Sequence, residues 1–273
     1  MFLEQIIVLA LIQGITEFLP ISSSGHLILV PALTGWPDQG VLTDMVTNVG
    51  SLLAVIIYFW RDVLSMLQGL IDLVQRRITY NSTLFTNIVI GTIPIIIAGV
   101  ILKVTGLDQH IRSVTLVAVN AIVFGLLLYF ADTYGLFVRT VRDLNWKSAL
   151  LVGCAQALSL SPGTSRSGIT MTAGRSIGLV RPEAARFSFL LSIPANAAAS
   201  LLVIGDAMSS GTALTGPVIL TGVLTFFIAL GAIAFLMRLL RHMSFLPFVI
   251  YRVILGVVLL ALIYSGVPLA MVN

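Results

Sequence analysis

Six windows of the sequence, residues 43–60, 84–102, 114–131, 186–203, 216–237 and 248–265, are almost wholly apolar. Each is close to the roughly 20 residues that an α-helix needs to cross a bilayer. Backbone at that depth finds no water to bond, so segments of this length must pair their own N–H and C=O groups as helices. The expected class is therefore all-α, a polytopic membrane protein with residues 1–273 in a single integral domain. Composition agrees, because 58% of the residues are hydrophobic and only 10% are charged, too few to cover the surface of a soluble domain. A signal peptide with Ile6 to Ile12 as its core is the bland reading of the N-terminus, but that stretch is preceded by Glu4 and by no Lys or Arg.

Two further apolar stretches, about 5–30 and 148–180, are each cut in the middle by a cluster of Pro, Ser and Gly. Neither half is long enough to span alone, which predicts two re-entrant helical hairpins in addition to six transmembrane helices. The two interruptions resemble each other, Gln13 and Pro20-Ile-Ser-Ser-Ser-Gly25 in one, Gln156 and Pro162-Gly-Thr-Ser-Arg-Ser-Gly168 in the other. An internal duplication follows, repeat one at about 1–131 and repeat two at about 148–266. A hairpin returns to its own side and three crossings follow it, so the copies lie in opposite orientation with their broken segments meeting near the midplane.

The basic residues give the orientation. In this topology Arg61, Arg76, Arg77, Arg139, Arg142, Lys147, Arg175, Arg181, Arg186, Arg238 and Arg241 fall on one side, and Lys103 and Arg112 on the other. The rich side is cytoplasmic by the positive-inside rule. The first hairpin then enters from outside and the second from the cytoplasm. These residues are dispersed over short loops, so the net charge of +4 forms no single basic face and no nucleic-acid partner is expected. Trp36, Trp60 and Trp146 stand at span ends as interfacial anchors. Residues 61–83 read as the longest and most polar loop. Arg252, near the cytoplasmic end of the last span, can snorkel to the interface or serve the site. The lone Cys154 excludes a disulfide framework.

The interrupted stretches carry the chemistry. Gln13 and Glu17 stand four apart, on one helix face, and Ser22, Ser23, Ser24 and His26 follow within ten residues. Asp44 and Asn48 extend a polar stripe on the first span. In the second stretch Thr164, Ser165, Ser167 and Thr170 surround Arg166 in a glycine-flanked turn that opens a helix. Free N–H groups, hydroxyls and a guanidinium fork there describe an anion site. Brought together, the hairpins supply what phosphoryl transfer needs, positioning and charge stabilisation. Glu17 is a candidate base or metal ligand, and Ser23 and His26 are both open as nucleophile or proton carrier. The bland alternative is a Glu17–Arg166 bridge that only joins the hairpins.

The runs Gln13-Gly-Ile-Thr-Glu-Phe-Leu-Pro-Ile-Ser-Ser-Ser-Gly-His26 and Pro162-Gly-Thr-Ser-Arg-Ser-Gly-Ile-Thr170 resemble the two signature motifs of the undecaprenyl pyrophosphate phosphatases, the bacitracin-resistance membrane phosphatase family. The likeness extends over nearly the whole chain, including Phe187–Leu191 and Ser244–Arg252. It implies hydrolysis of a C55 lipid pyrophosphate to its monophosphate, recycling the carrier for cell-wall synthesis in the bacterial cytoplasmic (inner) membrane. It implies Glu17, Ser23, His26 and Arg166 as catalytic residues, with Gln13, Ser22, Ser24, Ser165, Ser167 and Thr170 binding substrate. It also implies a divalent cation, Mg²⁺ or Ca²⁺, at Glu17. Gln13 departs from the many members that carry Glu there, and an amide cannot take up a proton. External termini suit a site opening to the periplasmic or outer face. An inverted-repeat transporter or lipid flippase is the alternative, and a channel or scaffold a remote third. Small-residue faces such as Ala195 to Ser200 leave open packing within one chain or in a homodimer.

Overall fold

The computed structural model describes residues 2–37, 39–106, 113–135, 137–209 and 215–265. Arg112, counted above on the outer side, lies outside the described residues. The described residues are mainly helical: α1 (Leu3–Thr16), α2 (Ser23–Thr34), α3 (Gly40–Tyr58), α4 (Trp60–Val74), α5 (Tyr80–Thr105), α6 (Val114–Thr133), α7 (Trp146–Ala157), α8 (Arg166–Ser176), α9 (Arg181–Ser209), α10 (Gly216–Leu239) and α11 (Leu246–Tyr264). Among the described residues, six helices are long and apolar enough to cross a membrane, α3, α5, α6, α9, α10 and α11. They coincide with the six apolar windows. The protein is a multi-pass membrane protein. Each interrupted stretch is a pair of short helices joined by a turn, α1–α2 and α7–α8.

The helices begin where the sequence offers caps. Thr79 and Ser82 bond each other's backbone N–H at the start of α5, Asn145 caps α7, and Ser113 caps α6. Packing then pairs the halves crosswise. Helix α1 lies against α10 and α7 against α5, while α3 packs on α9 and α6 on α11. Missing side chains let these helices touch. A Cβ on Gly153 would stand 2.4 Å from the Gly91 carbonyl oxygen, and one on Gly50 2.3 Å from that of Gly222. With lipid on one side there is no hydrophobic drive between helices, so such close backbone contact is the main source of association.

Residues 61–83 are not a polar loop, as the sequence suggested, because most of them belong to α4. Trp60, Leu64, Leu67, Ile71 and Val74 make an exposed apolar stripe at helical spacing, and Asp72 is turned inward to Thr79 and Gln68. That is the pattern of a helix lying in the interface rather than crossing it. At the same end of the bundle the arginines form two ion-pair groups. Asp132 of α6 accepts from Arg175 at 2.8 Å, from Arg181 at 2.9 Å and from the Phe245 amide at 3.1 Å. Glu183 takes the Val141 amide at 2.9 Å, and Arg186 bonds Asp62. The ends of α4, α6, α8, α9 and α11 are thereby tied to one another.

Candidate active site

The turn of each helix pair ends in a serine with left-handed backbone. Ser22 has φ 74° and ψ 100°, and Ser165 has φ 68° and ψ 113°. Such values cost a non-glycine residue about 1–3 kcal/mol each and persist only where surrounding contacts impose them. Both hydroxyls cap the helix that follows, Ser22 Oγ accepting from the Gly25 amide at 3.3 Å and Ser165 Oγ from that of Gly168 at 3.1 Å. The next residue in each case, Ser23 and Arg166, is thrown forward at a helix N-terminus. The two meet at one carboxylate. Ser23 Oγ donates to Glu17 Oε2 at 2.6 Å, and Arg166 Nη2 donates to Glu17 Oε1 at 2.6 Å. Arg166 Nη1 is held by Asn196 Oδ1 at 2.6 Å.

Gln13 completes the arrangement from behind. Its Nε2 lies 3.1 Å from both Glu17 Oε2 and Asn48 Oδ1, so the amide serves as a donor where an ionised carboxylate would repel Glu17. The ion pair is largely withdrawn from solvent, with Arg166 15% and Glu17 9% exposed. What exposure remains faces a cavity of about 330 Å³ lined by Glu17, Ser22, Ser23, Ser24, Ser165, Arg166, Asn196 and Lys103 and walled by Ile95, Ile96, Gly99 and Val100 of α5 and Ala195, Ala198, Ala199 and Leu202 of α9. Ala195, Ala198 and Ala199 of the small-residue stretch 195–200 make room for this cavity.

Three candidates stand elsewhere. His26 does not line the cavity; its Nδ1 is 2.6 Å from the Ser22 carbonyl oxygen and its Nε2 2.6 Å from the Tyr251 hydroxyl. Nδ1 therefore carries the proton and Nε2 accepts from tyrosine. Ser167 is buried and donates to the Leu19 carbonyl at 3.0 Å, tying one turn to the other. Thr170 is buried against Ser188 of α9 at 2.6 Å. Neither hydroxyl reaches the cavity, because both lie on the inner side of α8. Asp44 accepts from Gln39 and stands behind the site rather than in it. Asn196 escaped the sequence reading, although a lone amide two residues after Pro194 in an apolar span was its signal.

Residues 6–258 match the family described as Bacitracin resistance protein BacA. The chain belongs to that family. Among BacA-like relatives it is 48% identical over 267 residues to the undecaprenyl-diphosphatase of Roseobacter denitrificans, covering 97% of this chain and 100% of that protein. It is 47% identical over 279 residues to the undecaprenyl-diphosphatase of Erythrobacter litoralis, covering 94% and 98%. The Mg²⁺ or Ca²⁺ expected at Glu17 can be tested against the donors of this BacA-family site. They comprise one carboxylate whose two oxygens already accept from Arg166, Ser23 and Gln13. Among the described residues no group of three or more His, Cys, Asp or Glu could hold a metal ion. A hard cation asks for several oxygen ligands, so these residues do not fit a protein-built metal cage, and no step below passes through one.

Proposed function

We propose that this chain hydrolyses undecaprenyl diphosphate to the monophosphate and inorganic phosphate, returning the lipid carrier to cell-wall synthesis and so supporting resistance to bacitracin. The observation that carries the mechanism is the shared carboxylate, with a serine hydroxyl on one oxygen of Glu17 and the Arg166 guanidinium on the other. The diphosphate enters between the N-termini of α2 and α8, whose amides and dipoles favour an anion. Arg166 then turns from Glu17 to the phosphate oxygens. Released from that pairing, Glu17 takes the Ser23 proton as Oγ attacks the terminal phosphorus, and the anhydride bond breaks with the lipid monophosphate as leaving group. Glu17 passes that proton to the departing lipid monophosphate and is a base again. Water then attacks the phosphoserine, giving its proton to Glu17, which hands it to the leaving Ser23 Oγ as inorganic phosphate is released. Ser23 is favoured over His26 as nucleophile because only Ser23 borders the cavity.

We further read the chain as an inverted duplication with two re-entrant hairpins. The matching serine caps and the crosswise helix pairing support this. The cavity lies along Ile95–Lys103 and Ala195–Leu202, the halves of α5 and α9 remote from Arg76, Arg77 and Arg181. This supports an opening toward the outer face of the cytoplasmic membrane. The test is phosphate release from a polyprenyl diphosphate by purified protein in detergent, where sidedness is lost and transport gives no signal. Ser23→Ala should abolish the single-turnover phase, and acid-stable phosphoserine should be trapped in the parent. A Ser23→Ala protein that retains most of its rate excludes this mechanism.

A further inference from the structure

Arg252 of α11 is wholly buried, so it does not snorkel, and among the described residues it forms no ion pair. Its five contacts are all main-chain carbonyls. Nη1 donates to Pro20 O at 3.4 Å, and Nη2 to Gly163 O at 3.0 Å, Thr164 O at 2.9 Å and Asn120 O at 3.2 Å, while Nε donates to Ala121 O at 3.2 Å. An arginine without a carboxylate is costly at membrane depth. What it meets there explains its retention. Three of these carbonyls, of Pro20, Gly163 and Thr164, lie in the turns outside the helical ladders, where each would otherwise be an orphan; those of Asn120 and Ala121 belong to α6.

The position of those carbonyls matters more than their number. Pro20 precedes the strained Ser22 by two residues, and Thr164 immediately precedes the strained Ser165. One guanidinium thus grips the approach to both caps, and the residues thrown forward by those caps are Ser23 and Arg166. Its neighbour acts on the first cap as well, because the Tyr251 hydroxyl holds His26, whose other ring nitrogen holds the Ser22 carbonyl. We infer that Tyr251 and Arg252 are positioning residues, and that α11 sets the distance between Ser23 and Arg166 by clamping the two turns from behind. His26 is the link in that clamp. The seat is built for it, since a Cβ on Gly168 would stand 2.7 Å from Arg252 Nη1.

The inference rests on the hydrolase reading, and the parent enzyme separates the two. No phosphate release by the parent defeats that reading, whereas an active parent with indifferent variants defeats this inference alone. Arg252→Lys keeps the charge but has one nitrogen for carbonyls spread over two turns. It should lose about a hundredfold in kcat, the scale of an ångström-sized misplacement, with KM within about threefold of the parent and a folded melting transition in detergent. Tyr251→Phe removes one hydroxyl and should lower kcat about tenfold, but cause no further loss in a His26→Ala background, since the hydroxyl acts only through that ring. A kcat within about threefold of the parent in Arg252→Lys, or a loss accounted for by its unfolded fraction, would overturn the clamp. Should Arg252→Lys fail to fold, the Tyr251–His26 cycle decides, and additive losses there refute it.

Discussion

Glu17→Gln isolates the charge of the central carboxylate while preserving its shape. In the parent, Oε2 accepts from Ser23 at 2.6 Å and Oε1 from Arg166 at 2.6 Å. The amide offers one oxygen, which Arg166 will claim, and turns its NH₂ toward Ser23 Oγ. The hydroxyl then accepts a hydrogen bond instead of giving one up, and nothing in reach can receive its proton. Loss of a general base costs about 10²–10⁴ in rate. For stability, removing one partner of a buried pair costs at most about 3–5 kcal/mol. Arg166 keeps Asn196 and partial access to the cavity, so the lower part of that range applies. Binding should move the other way, because the guanidinium no longer has to leave a carboxylate to meet the diphosphate. The expected result in detergent is a kcat reduced at least about a hundredfold with KM equal to or below that of the parent. A variant that keeps a tenth of its kcat, or one whose loss lies wholly in KM, would refute the assignment of Glu17 as base.

Further outcomes follow from the surrounding contacts. His26→Asn retains an N–H donor for the Ser22 carbonyl but gives up the Tyr251 hydroxyl, so it should recover part of the rate lost in His26→Ala and resemble Tyr251→Phe; equal inactivity of Asn and Ala would make the imidazole a proton carrier after all. Asp132→Asn leaves Arg175, 2% exposed, without its carboxylate, at a cost of about 3–5 kcal/mol. The melting temperature in detergent should fall, while the rate per folded molecule stays unchanged. The hydroxyl of Thr79 and then the amide of Gln68 hold the Asp72 carboxyl below its ordinary value. A depressed carboxyl stabilises the fold above its unfolded pKa and loses that contribution as pH falls through the folded one. Hydrogen-exchange protection of the α4–α5 junction should therefore hold at about pH 5 and decline only below about pH 4.

The fold was legible where chemistry is one-dimensional. Apolar length fixes the six spans, and Pro, Ser and Gly in the middle of a run fix the two helix pairs. Helix α4 was missed because Arg61, Asp62, Gln68 and Asp72 dilute the hydropathy of its window, although Trp60, Leu64, Leu67, Ile71 and Val74 repeat at helical spacing. Motif proximity points to Glu17, Ser23, His26 and Arg166 together; the structure joins Glu17, Ser23 and Arg166 and sets the His26 ring on other partners. That residue is one turn into α2, and its two ring nitrogens are taken by the Ser22 carbonyl and by the hydroxyl of Tyr251, more than two hundred residues later. Arg252 was ambiguous for a related reason. Its partners are carbonyl groups, which every residue possesses and no sequence pattern marks.

The two halves also differ in an instructive way at matching positions. Ser22 follows Gln13, and Ser165 follows Gln156, by the same nine residues, and each serine adopts the same strained cap. The slot after the cap holds Ser23 in one half and Arg166 in the other. The slot four after the glutamine holds Glu17 in one half and Leu160 in the other, and both border the cavity. A strictly symmetric site would set either two carboxylates or two guanidiniums face to face, away from bulk water, where like charges cannot both persist. With arginine in the serine slot and leucine in the glutamate slot of the second half, the carboxylate of Glu17 instead meets the guanidinium of Arg166. In the proposed mechanism both helix N-termini serve the diphosphate, while the nucleophile Ser23 and the base Glu17 come from one half only.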